Sequence, residues 1–447
     1  MSDIVQIITK KNVGIRGLAL GLMLLFFLFN SCSAPEKIEL GRTDLNYANT
    51  VLLDAAMADV FTPPVASRIF AYSHLAHYIT FEGASPESVP KITQHIHGLD
   101  DFEMPDNNGV DAQLAALFAF SKMGKKLIYS EEYFDDLDQT LISRAKENNY
   151  TDSDINKAQN FARSIFEQLS LWVDQDQYIQ TRTYPRFTST KQPQNWRETP
   201  PDYETALEPY WDQIRPLVID SLSVYAPKPL PEYSTDKSSA FYAMVSEVYN
   251  ETRSEEKEKI AWFWDCNPVL TIHQGHMIQT IHKYSPPGHW LNIVTQVTQQ
   301  NNSDYAKATQ AYTYVATAMF DAIIAVWHYK FKTDLVRPIT YIQEFIDPHW
   351  EPILQTPPFP EYTSGHSAIS GAAATVLSGL YGAESGFHDT TQLRFGLEER
   401  TFKTFMEAAY QVNLSRFYGG IHYKPGVEEG GKQGAYIGQL ILNRFTK

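Results

Sequence analysis

The stretch "DYAKATQAYTYVATAMFDAIIAVWHYK", residues 304–330, is apolar on nearly all of its inner helical positions. A helix of that kind buries most of its surface, so it requires other helices packed around it. The chain supplies them. "YANTVLLDAAMADVF" reads as a helix stopped by "TPP", and "VASRIFAYSHLAHYITF", "GVDAQLAALFAFSKMGKKLI" and "FDDLDQTLISRAKENN" repeat the same periodicity. "DSDINKAQNFARSIFEQLSLWV" follows, its "TDSD" start offering side-chain oxygens to the orphan N–H groups of a first turn. Strand-like alternation is scarce. The expected fold class is all-α, built as packed helical bundles.

At 447 residues and 43% apolar content, the chain has the length for two packed modules and the material for a large interior. Residues 175–237 are rich in Pro, Tyr, Thr and Trp and read as a long irregular crossing. The expected organisation is an N-terminal helical module with this crossing over 32–237, then a C-terminal helical module over 238–447. In the second module, "RSEEKEK" reads as a solvated helix face. A formal charge of −15 argues against nucleic-acid binding but leaves room for a local cationic pocket.

Lys10, Lys11 and Arg16 precede the apolar run "GLALGLMLLFFLF", which is too short for a comfortable membrane span. Ser31 and Cys32 end it. The segment resembles a bacterial lipoprotein signal, so residues 1–31 are expected to be removed and Cys32 lipidated. This implies an exported protein held at a membrane by a lipid anchor. A simple cleaved signal or an uncleaved anchor is the alternative reading. With Cys32 lipidated, Cys266 has no partner for an intramolecular disulfide. Its aromatic setting, "AWFWDCNP", reads as that of a buried inert thiol.

Three stretches of the second half share a chemical theme. "KFKTDLVRP" sets Lys330 and Arg337 as K-x6-R-P, "TSGHSA" opens a small-residue helix with Ser364, Gly365 and His366, and "SRFYGGIHY" sets Arg416 and His422 as R-x5-H. Singly, each has an ordinary explanation: helix-end cations, a helix cap, a satisfied histidine. Together, three cations and a helix N-terminus make a cradle for a multiply charged tetrahedral oxyanion. Backbone N–H groups at Gly365 and His366 would point at an oxygen, the Ser364 hydroxyl would add a bond, and each arginine would offer a planar pair of donors.

The conjunction K-x6-R-P, S-G-H and S-R-x5-H resembles the signature of the type 2 phosphatidic acid phosphatase and vanadium-dependent haloperoxidase superfamily. "SRIFAYSHLAHY" and "PPGHW" extend the likeness to bacterial haloperoxidase-like proteins, over most of the chain beyond the signal. The resemblance implies a vanadate cofactor, with hydrogen peroxide and a halide (iodide or bromide) as substrates. It further implies that Lys330, Arg337, Ser364, Gly365 and Arg416 bind the oxyanion. His422 would be the axial metal ligand, His366 the acid–base residue, and Lys330 a catalytic cation. A halide pocket would be formed by Phe359 and Trp327; His328, next to Trp327 in sequence, is expected to touch it on that adjacency.

The same cradle would serve an acid or lipid phosphatase, with His422 attacking phosphorus. Phosphatases of the superfamily read H-x3-D after that histidine, whereas this chain has Gly426 there. Glu428 or a backbone carbonyl is then the expected orienting partner of His422. His273, His276, His282 and His289 cluster in sequence and are expected to line the channel or bond locally rather than hold a metal.

Overall fold

The computed structural model of the chain describes residues 37–190, 192–274 and 276–446. The expected signal segment and Cys32 lie outside them. Helices α1 (Arg42–Ala58) and α2 (Pro63–Ala84) are separated at Thr62, where Pro63 and Pro64 fit the first turn of α2 because their missing N–H groups have no acceptor there. α3 (Ala112–Leu127) starts where the Asp111 carboxylate accepts the Leu114 N–H at 2.9 Å. α4 (Glu132–Glu147) precedes α5 (Asp152–Val173), which opens on a reciprocal cap between Thr151 and Asp154.

After the short α6 (Tyr178–Thr181), the chain runs irregularly to α7 (Ala240–Tyr249) and α8 (Glu255–Phe263). One buried carboxylate fixes part of that crossing. Asp321, inside the central helix, accepts the N–H groups of Leu217, Val218 and Ile219 at 2.7, 2.8 and 3.0 Å. A loop buried in this way needs acceptors for its backbone, and Asp321 supplies them. Burial raises the pKa of that carboxyl to about 6, against the pull of those three donors.

A hairpin follows that the periodicity had not suggested: β1 (Val269–Gln274) pairs antiparallel with β2 (Met277–His282), Thr271 opposite Thr280. His276 and His282 are exposed on it, and no cluster of His, Cys, Asp or Glu among the described residues has the arrangement of a metal site. α9 (Pro286–Gln300) leads to α10 (Tyr305–Thr333), the long apolar stretch. Asp304 caps α10, and its residues are buried on almost every face up to Lys330. α11 (Pro338–Phe345) and α12 (Gly365–Tyr381) come next, then a second small ladder of β3 (Phe387–Asp389) and β4 (Arg400–Phe402), and finally α13 (Phe405–Tyr418) and α14 (Lys424–Phe445).

The fold is therefore helical, with two minor two-stranded ladders. α2 packs against both α3 and α10, and α10 against α12 and α14. A single apolar cluster runs from Leu40 to Phe445, so the stretches on either side of residue 237 share one core. Among the described residues no helix is long and apolar enough to cross a membrane.

Glycines let the backbones of α12 and α14 touch. A Cβ on Gly434 would run into the Ala368 carbonyl, and one on Gly371 into that of Gly431. This contact sets the distance between the start of α12 and the start of α14, where two of the three sequence motifs lie. Gly434→Ala is expected to push the helices apart and destabilise the chain by about 1–3 kcal/mol, the usual cost of overpacking. Denaturant unfolding checks this, and unchanged stability would mean that the contact is slack.

Candidate active site

The three motifs converge at the ends of five helices. Lys330 lies in the last turn of α10. That helix stops at Asp334, whose left-handed backbone (φ +47°) turns the chain, and Arg337 then caps α11 ahead of Pro338. The six-residue spacing is thus a helix end, a turn and a helix start, which brings both cations to one place. Ser364 caps α12, its Oγ accepting from Ser367 N at 3.4 Å and Ser367 Oγ at 2.9 Å. The N–H groups of Gly365 and His366 come before the first bond of that helix, Ala368 N to Ser364 O at 3.1 Å. Arg416 lies in the last turn of α13, and His422 just ahead of α14.

Lys330, Arg337 and Arg416 are 0%, 0% and 1% exposed, so none is solvated. Backbone carbonyls hold them instead. Lys330 Nζ donates to the carbonyls of Pro360 and Glu361 at 2.9 and 3.0 Å. Arg337 donates through Nε to Phe359 O and through Nη1 to Ile421 O, both at 2.8 Å. Arg416 Nη2 donates to Trp264 O at 2.9 Å and Ala261 O at 3.3 Å, while its Nη1 stays 3.9 Å from Asp265. Burial, and then the charge of Arg337, pushes the Lys330 ammonium well below its usual range. Burial also lowers Arg337, to about 10, and lowers Arg416.

The geometry fixes the tautomer of His422. Arg337 Nη1 lies 3.1 Å from His422 Nε2, and a guanidinium only donates, so Nε2 is the acceptor. The proton of the neutral ring therefore sits on Nδ1, which donates to Glu361 Oε1 at 2.7 Å. Burial, followed by Arg337 and the other nearby cations, holds the His422 pKa well below its usual value, which keeps Nε2 unprotonated. His366 is lowered in the same way, by burial and then by Arg416, and its buried Nε2 has no hydrogen-bond partner.

The expected orienting partner of His422 is corrected here. Glu428 is exposed, and Glu361 does the work. Glu361 Oε1 also accepts the Tyr423 N–H at 3.0 Å. A Cβ on Gly426 would collide with this carboxylate, so the glycine in the H-x3-D position makes space for a carboxylate arriving from another segment. Burial raises the Glu361 pKa to about 7, opposed by Arg337 and Lys330. Its one sequence signal was a carboxylate inside "PPFPEYTSGHSA", five residues before His366.

A cavity of about 250 Å³ opens onto this cluster, with Phe359, His366, Arg416, Asp265 and Cys266 on its wall. The Phe359 ring lies on the cavity wall, 4.9 Å from Lys330 Nζ and 5.0 Å from the Arg337 guanidinium. Trp327 backs Phe359 at 5.2 Å without reaching the cavity, its Nε1 donating to Leu207 O at 3.3 Å. Its ring also lies 3.3 Å from where a Gly365 Cβ would stand, which explains the glycine. His328 is not brought to the site: adjacent residues on a helix face different ways, and its Nδ1 pairs with Asp212 at 3.2 Å.

The family description "VCPO second helical-bundle domain" matches residues 310–347 and 343–447. A solved bacterial vanadium-dependent iodoperoxidase is similar over 92% of this chain and 98% of its own, with 38% identity and a TM-score of 0.84. A holo-type bacterial vanadium-dependent chloroperoxidase is 15% identical over 93% of this chain and 99% of its own, with a TM-score of 0.67. An apo-type bacterial chloroperoxidase is 16% identical over 84% and 93%, with a TM-score of 0.58. At that identity the chloroperoxidases show the shared fold. Among curated proteins none matches.

Glu361→Gln removes the acceptor charge that holds the His422 proton on Nδ1. Loss of such an orienting partner costs about ten- to hundredfold in affinity at the ligating histidine. Oxyanion binding, titrated with orthovanadate, is expected to weaken by that amount. Unchanged binding would show that Glu361 does not orient the ring.

Proposed function

The chain belongs to the vanadium-dependent haloperoxidases, and from that premise we propose that it oxidises iodide with hydrogen peroxide, using vanadate bound among Lys330, Arg337, Arg416 and His422. The observation that carries this reading is a buried positive charge only partly compensated: Lys330, Arg337 and Arg416 face two carboxylates, Glu361 and Asp265. Three cations are withdrawn from water and held by carbonyl oxygens, which carry no net charge. Glu361 is engaged with His422, and Asp265 is 3.9 Å from Arg416. Burying more cations than counter-ions is costly, so the site favours a further anion.

The residues fit vanadate on several counts. Arg337 Nη2 and His366 Nε2 are buried polar atoms with no partner. The N-terminus of α12 adds N–H groups and the positive end of a helix dipole. His422 Nε2 offers a lone pair to a metal, its tautomer set from behind by Glu361. When bound, vanadate supplies a Lewis-acidic centre that activates hydrogen peroxide toward halide attack without changing its own oxidation state.

The chain's side chains do the rest. Lys330, Arg337 and Arg416 balance the oxyanion charge and polarise what is bound between them. Ser364 and the Gly365 N–H bond its oxygens. His366 is neutral because of burial and Arg416, so its Nε2 is ready to take a proton from incoming peroxide and return it as water leaves. Phe359 presents an apolar face that helps strip water from a halide. Iodide is the most easily oxidised of the halides considered, and the 38% identical neighbour is described as an iodoperoxidase, which supports iodide as the preferred halide.

A paired assay tests this. The purified chain, loaded with orthovanadate, is expected to oxidise iodide with hydrogen peroxide, and the same chain without vanadate to hydrolyse phosphate esters weakly or not at all. His422→Ala is expected to lower iodide oxidation by about a hundredfold or more, as removal of a catalytic metal ligand should. No halide oxidation at any pH, together with brisk ester hydrolysis, would contradict the proposal and favour attack of His422 on phosphorus.

A further inference from the structure

Cys266 was expected to be an inert thiol, but its surroundings are those of an activated one. Its Sγ lies 3.3 Å from His289 Nδ1, and His289 Nε2 lies 2.8 Å from Asp389 Oδ2. The three side chains are 3%, 1% and 0% exposed. The arrangement is braced from several sides. Asp389 Oδ1 accepts the Thr391 N–H at 2.9 Å, and Trp264 stacks on the His289 ring at 4.8 Å. Gln392 donates to Phe263 O at 2.7 Å and reaches 3.3 Å from His289 Nδ1. Burial alone would strip His289 of its second proton. Asp389, and then the Cys266 sulfur, outweigh burial and push its pKa up to about 10.

Nucleophile, base and orienting carboxylate thus stand in line, the geometry that activates a nucleophilic side chain. Simple packing of a cysteine would need neither partner. The line also has an open end: Cys266 is on the wall of the same cavity as His366 and Arg416, and peroxide is hardly larger than water.

We infer that Cys266, His289 and Asp389 form a peroxide-reactive thiol centre on the cavity wall, and that oxidation of Cys266 to the sulfenic acid switches the neighbouring catalytic site off. The inference rests on the reading above only in taking peroxide to enter this cavity. The Cys266 sulfur attacks one oxygen of hydrogen peroxide; an S–O bond forms and the O–O bond breaks. The departing hydroxide receives the proton that the thiol had given to His289 and leaves as water. Sulfur loses a pair of electrons and peroxide gains it, so one thiol and one peroxide yield one sulfenic acid and one water. The added oxygen lies in the cavity beside Arg416 and His366, and a thiol reductant reverses it.

The test needs no vanadate and no halide. The purified full chain is exposed to hydrogen peroxide in the presence of dimedone, and the Cys266 peptide is followed by mass spectrometry. The expected result is a dimedone adduct on Cys266. It should form about tenfold or more slowly in His289→Gln and in Asp389→Asn, because each removes part of the relay. In a second arm, vanadate-free chain is treated with peroxide, freed of it, loaded with orthovanadate and assayed for iodide oxidation. Activity should fall in step with adduct formation, return with dithiothreitol, and stay level with its untreated control in Cys266→Ala. No adduct on the folded chain, where the urea-unfolded chain does label, would overturn the inference. So would equal rates in a correctly folded His289→Gln. An adduct with undiminished iodide oxidation would remove the switch. An untreated, vanadate-loaded chain that oxidises no halide would instead fail the proposed function, leaving the adduct result to stand or fall alone.

Discussion

Three basic side chains held away from water organise the second half of this chain. Their cost is met locally by carbonyls of Phe359, Pro360, Glu361, Ile421, Ala261 and Trp264, contributed by three separate segments. Carbonyl dipoles solvate a cation without cancelling it. The cradle therefore keeps its charge for a ligand, and the segments that solvate it must stay in place. The irregular "PPFPEY" run is one such segment: its carbonyls accept from Lys330 and Arg337, its Phe359 ring lies on the cavity wall, and its Glu361 carboxylate accepts from His422.

Helix ends make this possible. α10, α11, α12 and α13 each stop or start at the cluster, so side chains converge there with little intervening loop. The glycine contact between α12 and α14 brings the first turn of α12 and His422 to one distance. Asp321 performs a related task farther along α10, tying the irregular crossing to the core through three backbone N–H groups. That crossing contributes Glu204 and Leu207 to the cavity mouth.

The helical class was legible because periodicity over long segments reports burial directly, and residues 304–330 do lie at the centre. The cations, Ser364, Gly365, His366 and His422 were legible because short spacings across a helix end translate into proximity. Partners from distant segments were not. Glu361 reaches His422 from 61 positions away, and His289 meets Asp389 across 100. No spacing encodes such pairs. His328 misled for the opposite reason: nearness in sequence to Trp327 places it on another face of the same helix. The hairpin at 269–282 was hidden by its histidines, which drew notice as possible ligands rather than as one part of an alternating strand.

On the proposed function, the excess buried positive charge binds an oxyanion through Lys330, Arg337, Arg416 and His422. Isothermal titration of orthovanadate into the full chain measures this directly, without relying on turnover. A single site per chain is expected, with affinity falling by about a hundredfold or more in Arg337→Ala, as expected when one partner of a buried charged contact is removed. Equal affinity in Arg337→Ala, or no binding to the unaltered chain, would contradict it.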